Sequence, residues 1–364
     1  MKIVHIIFAL QTGGSETMLV DIVNEQVLKV DVNLVIINDS YNKELVQQID
    51  NKVKVYFINR KEGSRNPFSV IKLNALLYYL NADIIHCHNH NIIPLFLSIF
   101  RRKAVLTLHC MGIPTLYLNK YIKLFAISKA VKSDILERSN IISEVIYNGI
   151  HNDIIQVREK QTFVRIFKIV QIGRLDHAIK GQHFVIEAIH TLKTQGLNNI
   201  QFDLIGTGNS ELFLKELVIK YELEKQINFL GPRNRNYIYS HLKNYDLLIQ
   251  PSLYEGFGLT VAEAMAAKLP VLVSDINGPM EIIELGKYGF YFQSGNTENL
   301  AEQIDYIISN YSGEQLKQKV EAAYIHVRVN FDISTTSQRY ISSYLILNKL
   351  MSTAYDKISL EESL

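Results

Sequence analysis

At 364 residues, with 48% hydrophobic and 20% charged residues, the chain is long enough for two domains and apolar enough to pack both, which excludes a disordered or fibrous protein. Two cysteines, Cys87 and Cys110, are too few for a disulfide framework and fit a reducing compartment. The net charge of +2 divides unevenly, +5 over residues 1–150 and −3 over the rest. That surplus suits an anionic partner such as a phospholipid surface or a phosphate-bearing acceptor, or is an ordinary solvated surface, since the cations are spread and mixed with acids. No nucleic-acid partner is expected.

The N-terminus, Met1-Lys2-Ile3-Val4-His5-Ile6-Ile7-Phe8, is apolar but short and runs straight into Gln11-Thr12-Gly13-Gly14-Ser15-Glu16, so it reads as a first buried strand and not as a signal peptide. No stretch approaches the ~18 apolar residues of a membrane span. The expectation is a soluble protein, at most attached to a membrane surface.

Strand-like and helix-like segments alternate from the start. Residues 2–10 form the first expected strand, Gly13-Gly14 the turn, and Ser15 or Thr17 the cap of a helix carrying Met18, Leu19, Ile22, Val23 and Val27 at helical spacing. Strands at 32–38 and 53–58 follow, and Pro67 opens a helix with Val70, Ile71, Leu73, Leu76, Leu77 and Leu80. Such alternation predicts an α/β domain with a parallel sheet whose ligands bind at the carboxyl ends of the strands. Gly13-Gly14 stands at one such end, where its amides can approach a phosphate or serve the turn alone.

His86, His88 and His90 alternate and would share one face of a strand. Three ligands on one straight strand converge poorly on an ion, so a polar strand end opening into a cleft is preferred to a zinc site. Leu106-Thr107-Leu108-His109 repeats the pattern of an apolar strand ending in histidine, which places His109 toward a cleft. Strands at 124–128 and 145–147 lead to the turn Asn148-Gly149, and residues 151–165 read as a linker.

A second run opens with the strand Phe167–Ile172 and the connection Gly173-Arg174-Leu175-Asp176-His177-Ala178-Ile179-Lys180-Gly181, before a helix over 182–192. Arg174 and Lys180 share that connection, where two cations can hold a diphosphate. A strand at 202–205 ends in Gly206-Thr207-Gly208, and a helix then runs to Tyr221. A strand at 227–230 leads into the turn Gly231-Pro232-Arg233-Asn234. The apolar run 246–250 delivers Pro251-Ser252-Leu253-Tyr254-Glu255-Gly256-Phe257-Gly258-Leu259-Thr260-Val261-Ala262-Glu263. Gly256 and Gly258 permit a sharp turn with open amides. Thr260 and Glu263 have capping-box spacing, and the helix start they mark suits a phosphate. Glu255 and Glu263 flank it, so the ligand expected is anionic and rich in hydroxyls. A strand at 270–274 and a helix from Asn277-Gly278-Pro279 to Ile283 complete this half.

The ordered set Gly13-Gly14-Ser15-Glu16, His86-Cys87-His88, His109, Asn148-Gly149-Ile150, Gly173-Arg174-Leu175 with Lys180-Gly181, Gly206-Thr207-Gly208, and Glu255-Gly256-Phe257-Gly258-Leu259 with Glu263 resembles the retaining glycosyltransferase family 4 across nearly the whole chain. The resemblance implies an α/β GT-B fold: two Rossmann-like domains facing across a cleft, with a C-terminal helix crossing back to the first. It implies an acceptor-binding domain over 1–155, a nucleotide-sugar domain over 166–333 and a returning helix over 334–364. Arg174 and Lys180 would then hold the donor diphosphate, helped by the amides of Leu259 and Thr260, while Glu263 binds the ribose hydroxyls. Glu255 and the turn Gly256-Phe257-Gly258 would contact the transferred sugar, and Gly206 would line the donor site. His109 would lie across the cleft beside that sugar, with Gly14 approaching the phosphate from the first domain. The Arg174–Lys180 gap is one residue longer than the commonest form of the motif, which leaves the reach of Lys180 open. A capping glutamate would serve the local amide of Thr260 instead of a ribose, the competing reading for Glu263.

The implied catalytic set is Glu255, His109, Arg174 and Lys180, with no metal and no cofactor. The expected activity is retaining transfer of a hexose from a nucleotide sugar, a UDP-sugar, to a glycan or polyprenyl-diphosphate-linked acceptor in surface polysaccharide synthesis. The location expected is cytoplasmic, with peripheral contact at the inner membrane face through the basic first domain. A nucleotide-sugar epimerase on the same fold and a non-catalytic partner subunit are the alternatives.

Overall fold

The computed structural model describes residues 1–11, 13–159 and 166–361, with side chains to residue 353; the end of the expected linker and the last three residues of the chain lie outside them. The chain divides into two compact units. The first combines Met1–Gly149 with Ile333–Leu364, and the second is Ile150–Asp332.

In the first unit, the strands are β1 (Lys2–Ile7), β2 (Asp31–Asn38), β3 (Lys54–Arg60), β4 (Ile84–Cys87), β5 (Ala104–Leu108), β6 (Lys123–Ala126) and β7 (Glu144–Val145). They form one seven-stranded sheet in the order β3-β2-β1-β4-β5-β6-β7, with every pairing parallel. Apolar runs such as Val32–Ile37 are buried on both faces, as a helix-covered parallel sheet requires. Strand order reverses between β1 and β4, so the crevice for a ligand lies beyond their carboxyl ends. There the Asn89 side chain accepts a hydrogen bond from the Phe8 amide at 2.9 Å and ties the two ends together.

The first helix, Gly14–Gln26, starts from an extended Gly13 with no side-chain cap, so neither Ser15 nor Thr17 caps it. The Thr17 hydroxyl instead donates back to the Gly13 carbonyl at 2.8 Å. Pro67–Leu80 is helical as its pattern predicts, capped by Asn66. Ser128, assigned from sequence to the end of a strand, caps the helix Lys129–Ser139 by accepting from the Val131 amide. The C-terminal helix Ile333–Glu361 belongs to this unit and buries Tyr340 and Tyr344 completely. Gly149 packs so closely on Ile333 and Thr336 that a Cβ would collide with the Ile333 backbone.

The second unit holds β8 (Phe167–Ile172), β9 (Ile200–Ile205), β10 (Ile227–Gly231), β11 (Leu247–Gln250), β12 (Val271–Ser274) and β13 (Phe290–Phe292). Their order is β10-β9-β8-β11-β12-β13, all parallel, with the reversal between β8 and β11. Its core gathers Phe167, Phe202, Leu247, Phe292 and Ile304. The Arg174–Lys180 connection contains a one-turn helix, His177–Lys180, closed by Gly181 in a left-handed conformation (φ 65°).

Candidate active site

Two loops meet at the strand-order reversal of the second unit. After β8 come Arg174 and Lys180, and after β11 comes Pro251 to Gly258. Gly181 lets them approach, because a Cβ there would strike the Pro251 carbonyl. Gly206 performs the same service against the Gly173 carbonyl, packing the Gly206-Thr207-Gly208 loop under Arg174.

Lys180 and Glu255 form an ion pair at 2.5 Å with both side chains largely sheltered from water. The extra residue in the Arg174–Lys180 gap is absorbed by the one-turn helix, and Lys180 reaches the second loop. Gln250 at the end of β11 donates to the same Glu255 oxygen at 2.8 Å, so that carboxylate is gripped from two sides. Gln171 holds the Lys180 carbonyl at 2.8 Å and Gln182 the Arg174 carbonyl at 2.9 Å. None of these glutamines was identified from the sequence, where a glutamine at a strand end or a helix start carries no distinguishing pattern. Arg174 points outward, 65% exposed, with Asp176 at 3.2 Å.

The helix Leu259–Ala266 begins at Gly258, which is left-handed (φ 109°) and provides no side-chain cap. The expected capping box does not form. Thr260 lies inside the helix, and its hydroxyl donates to Gln250 Oε1 at 2.8 Å. Glu263 accepts from the Tyr239 hydroxyl at 3.2 Å. Among the described residues no side-chain cap closes the start of this helix, an arrangement that suits an anion. The Phe257 side chain is buried edge-on against Phe331, so this residue offers a ligand its backbone alone.

In the first unit, Gly14 is exposed at the start of its helix, and Glu16 folds back over Gly13 while accepting from the Ser15 hydroxyl at 2.7 Å. That carboxylate shares the helix N-terminus with any incoming anion. The histidines meet the expectation in part: His88, His90 and His109 line a cavity beyond the ends of β4 and β5, whereas His86 is fully buried behind them. His86 bonds the Tyr344 hydroxyl at 2.5 Å and Thr107 Oγ1 at 2.7 Å. His5, absent from the sequence-based candidates, pairs across the sheet with His86, and its ring nitrogens contact Gln26 Oε1 at 2.8 Å and His88 at 3.0 Å. His88 continues to His109 at 3.1 Å. His90 stands apart, with its carbonyl accepting from the Tyr121 hydroxyl.

Nitrogens of His5, His86 and His88 lie within 4.8 Å of one another, close enough to ligate one ion. All six ring nitrogens also have hydrogen-bond partners in the protein, which joins the cluster into one connected polar core. Burial pushes His5 and His109 down to about 4, and His86 and His88 well below the ordinary imidazole value, so all four rings are neutral at pH 7.

Residues 154–326 match the family model for glycosyl transferases group 1, and residues 12–153 match that for glycosyltransferase family 4. The chain belongs to the family 4, group 1 glycosyltransferases. This glycosyltransferase is 28% identical over 263 residues to an uncharacterized glycosyltransferase of Methanocaldococcus jannaschii, covering 63% of the chain and 67% of the relative. A second M. jannaschii glycosyltransferase is matched over 50% of its length. The chain is 26% identical to the O-antigen chain mannosyltransferase RfbU of Salmonella typhimurium, covering 69% of the chain and 75% of the relative. Among solved structures, a glycosyltransferase from Rickettsia africae superposes with a TM-score of 0.80 at 22% identity, covering 95% of this chain and 98% of that one. Anabaena Alr3699/HepE in complex with UDP and glucose gives 0.78 at 23% identity, covering 94% and 99%. These likenesses show the fold, two Rossmann-like domains of GT-B type. No helix among the described residues is long and apolar enough to cross a membrane.

Proposed function

We propose that this chain is a retaining transferase that moves a hexose from a UDP-sugar to a glycan or polyprenyl-diphosphate-linked acceptor in surface polysaccharide synthesis. One observation carries the reading. Lys180, Glu255 and an uncapped helix N-terminus converge where β8 and β11 end. Breaking the sugar–phosphate bond leaves negative charge on the departing diphosphate and positive charge on the anomeric carbon. Lys180, Arg174 and the helix amides are assigned to the diphosphate, where preorganised positive charge lowers the barrier. Glu255 is assigned to the sugar, with Gly206 and the Gly256–Gly258 backbone lining the donor, Glu263 meeting the ribose, and Gly14 and His109 acting from the first unit. The acceptor hydroxyl loses its proton to the leaving phosphate on the same face, which accounts for retention.

The O-antigen chain mannosyltransferase among the relatives and the UDP complex among the structural neighbours support the pathway and the donor. Because protein cations and helix amides supply the positive charge, transfer is proposed to need no divalent ion. Incubation with a panel of nucleotide sugars and acceptors, with mass-spectrometric readout and with and without a chelator, tests the reading. Free nucleotide and glycosylated product in both conditions are expected. An altered donor sugar would instead identify an epimerase, and no turnover with any donor a non-catalytic subunit.

The working location is proposed to be the cytoplasmic membrane face. The Pro67–Leu80 helix exposes Phe68, Ile71, Tyr78 and Tyr79, a mix of aromatic and aliphatic groups that suits a lipid surface, while the first domain carries the basic surplus. Co-sedimentation with phosphatidylglycerol vesicles, lost on Phe68→Ser with Tyr79→Ser, is the check.

A further inference from the structure

Glu255 Oε2 takes two contacts in the second unit, from the Lys180 ammonium at 2.5 Å and from the Gln250 carboxamide nitrogen at 2.8 Å. Oε1 takes neither, and among the described residues it has no hydrogen-bond partner. Gln250 is held in turn from its other side, where its carboxamide oxygen accepts from the Thr260 hydroxyl at 2.8 Å. Gln250 is the last residue of β11, and Thr260 lies in the first turn of the helix Leu259–Ala266. One buried side chain thus joins the strand, the loop that carries Glu255 and the start of the helix.

The direction of these bonds follows from their chemistry. A carboxylate accepts and does not donate, so the group that Gln250 turns to Glu255 is its NH2. The carboxamide oxygen is then turned to Thr260, whose hydroxyl must donate. Both polar ends of Gln250 are partnered in this orientation, and the reverse orientation would set two acceptors against each other at Glu255.

Lys180 and Gln250 respond differently to an incoming diphosphate. The ammonium is drawn to the added negative charge, and each bond it makes there weakens its hold on Glu255. The carboxamide carries no net charge and is already fixed by Thr260. We propose that Gln250, locked by Thr260, is a positioning residue that keeps Glu255 in place when Lys180 turns to the donor diphosphate, with Oε1 left to accept from the sugar. This role rests on the assignment of Lys180 to the diphosphate and of Glu255 to the sugar. A glutamate released by both donors regains its rotamer freedom, and binding would have to remove that freedom again.

Calorimetric titration of the full chain with UDP, and separately with UDP-glucose, UDP-galactose and UDP-N-acetylglucosamine, separates nucleotide from sugar. Gln250→Leu keeps an apolar side chain of similar size and removes both bonds. It is expected to bind UDP within about twofold of wild type and the preferred UDP-sugar about tenfold more weakly, the scale of a hydrogen bond to a charged group. Thr260→Val should show the same split at about threefold, and Thr260→Ser should lose less than Thr260→Val. Adding Gln250→Leu to Glu255→Ala should weaken UDP-sugar binding no further, because Gln250 acts through that carboxylate.

Equal weakening toward UDP and UDP-sugar in Gln250→Leu would reduce Gln250 to a structural part and overturn the proposal. Full additivity with Glu255→Ala would overturn it as well. If Gln250→Leu does not fold, Thr260→Val carries the same comparison. A wild-type chain that binds none of the four ligands overturns the donor assignment and this role with it. Wild-type binding that Gln250→Leu leaves unchanged overturns this role alone.

Discussion

Lys180 and Glu255 are each other's partner at 2.5 Å, with Gln250 completing the grip on the carboxylate. Replacing either by alanine is expected to lower kcat at least ~100-fold, the scale seen when a preorganised charge is removed. The thermal midpoint should move little, because the pair lies at a loop junction outside the apolar core. Initial rates beside thermal melts test this, and near-wild-type turnover in either variant would sink the assignment. His5 makes a second prediction at this scale. Its folded value of about 4 lies below the unfolded 6.5, so the unfolded chain binds the extra proton between those limits. Above pH 6.5 the residue has no effect. As pH falls from 6.5 toward 4, it costs a growing amount, about 3 kcal/mol at the lower limit. Denaturant titrations at pH 7 and pH 5 should show this loss, and His5→Asn should make it shallower. The glutamates, the cations and His109 were readable from sequence as residues, because each sits in a short motif at a strand end. His5 and Gln26 were not, since a polar residue inside an apolar strand or helix reveals its partner only after the sheet assembles.

At the scale of elements, the alternation of strands and helices was legible because buried parallel strands are continuous apolar runs and the intervening helices keep their own period. Ends were less legible. Thr260 and Glu263 have the spacing of a capping box, yet the helix begins one residue before Thr260, and both side chains turn to tertiary partners, Gln250 and Tyr239. Local sequence offers the cap, and the packed neighbours take the side chains away. Gly181 illustrates the same dependence. It ends one helix, precedes another, holds φ at 65° and presses on the Pro251 carbonyl. Gly181→Ala should cost about 1–2 kcal/mol from the left-handed backbone alone. It should also push the Lys180 and Glu255 loops apart, so transfer should fall more than stability does. Paired denaturation and rate measurements check this, and a variant with lowered stability but full turnover would count against the loop contact.

Over the whole molecule, the chain leaves its first unit at Gly149 and re-enters it at Ile333. The returning helix delivers Tyr340 and Tyr344, which pack edge-on against Phe125 and hydrogen-bond Thr107 and His86. Two buried tyrosines are worth several kcal/mol together by comparison with core aromatic truncations. Ending the chain after residue 332 should therefore unfold the first unit selectively. Amide exchange should show protection lost over β4, β5 and β6 and retained over β8 to β13. Equal protection in both units would show that the helix is dispensable.

The sequence by itself determined the family, the α/β class and the short motifs that carry charge, because these are local: apolar runs, glycines at strand ends, cations and carboxylates at set spacings. The tertiary structure decided which groups meet. It closed the Lys180–Glu255 pair across an intervening 74 residues, dissolved the capping box, and drew His86 into a buried polar core with His5. The physical reason is the parallel sheet itself. It sets residues far apart in the chain side by side on adjacent strands, and the partner of a buried polar group is whatever the neighbouring strand provides.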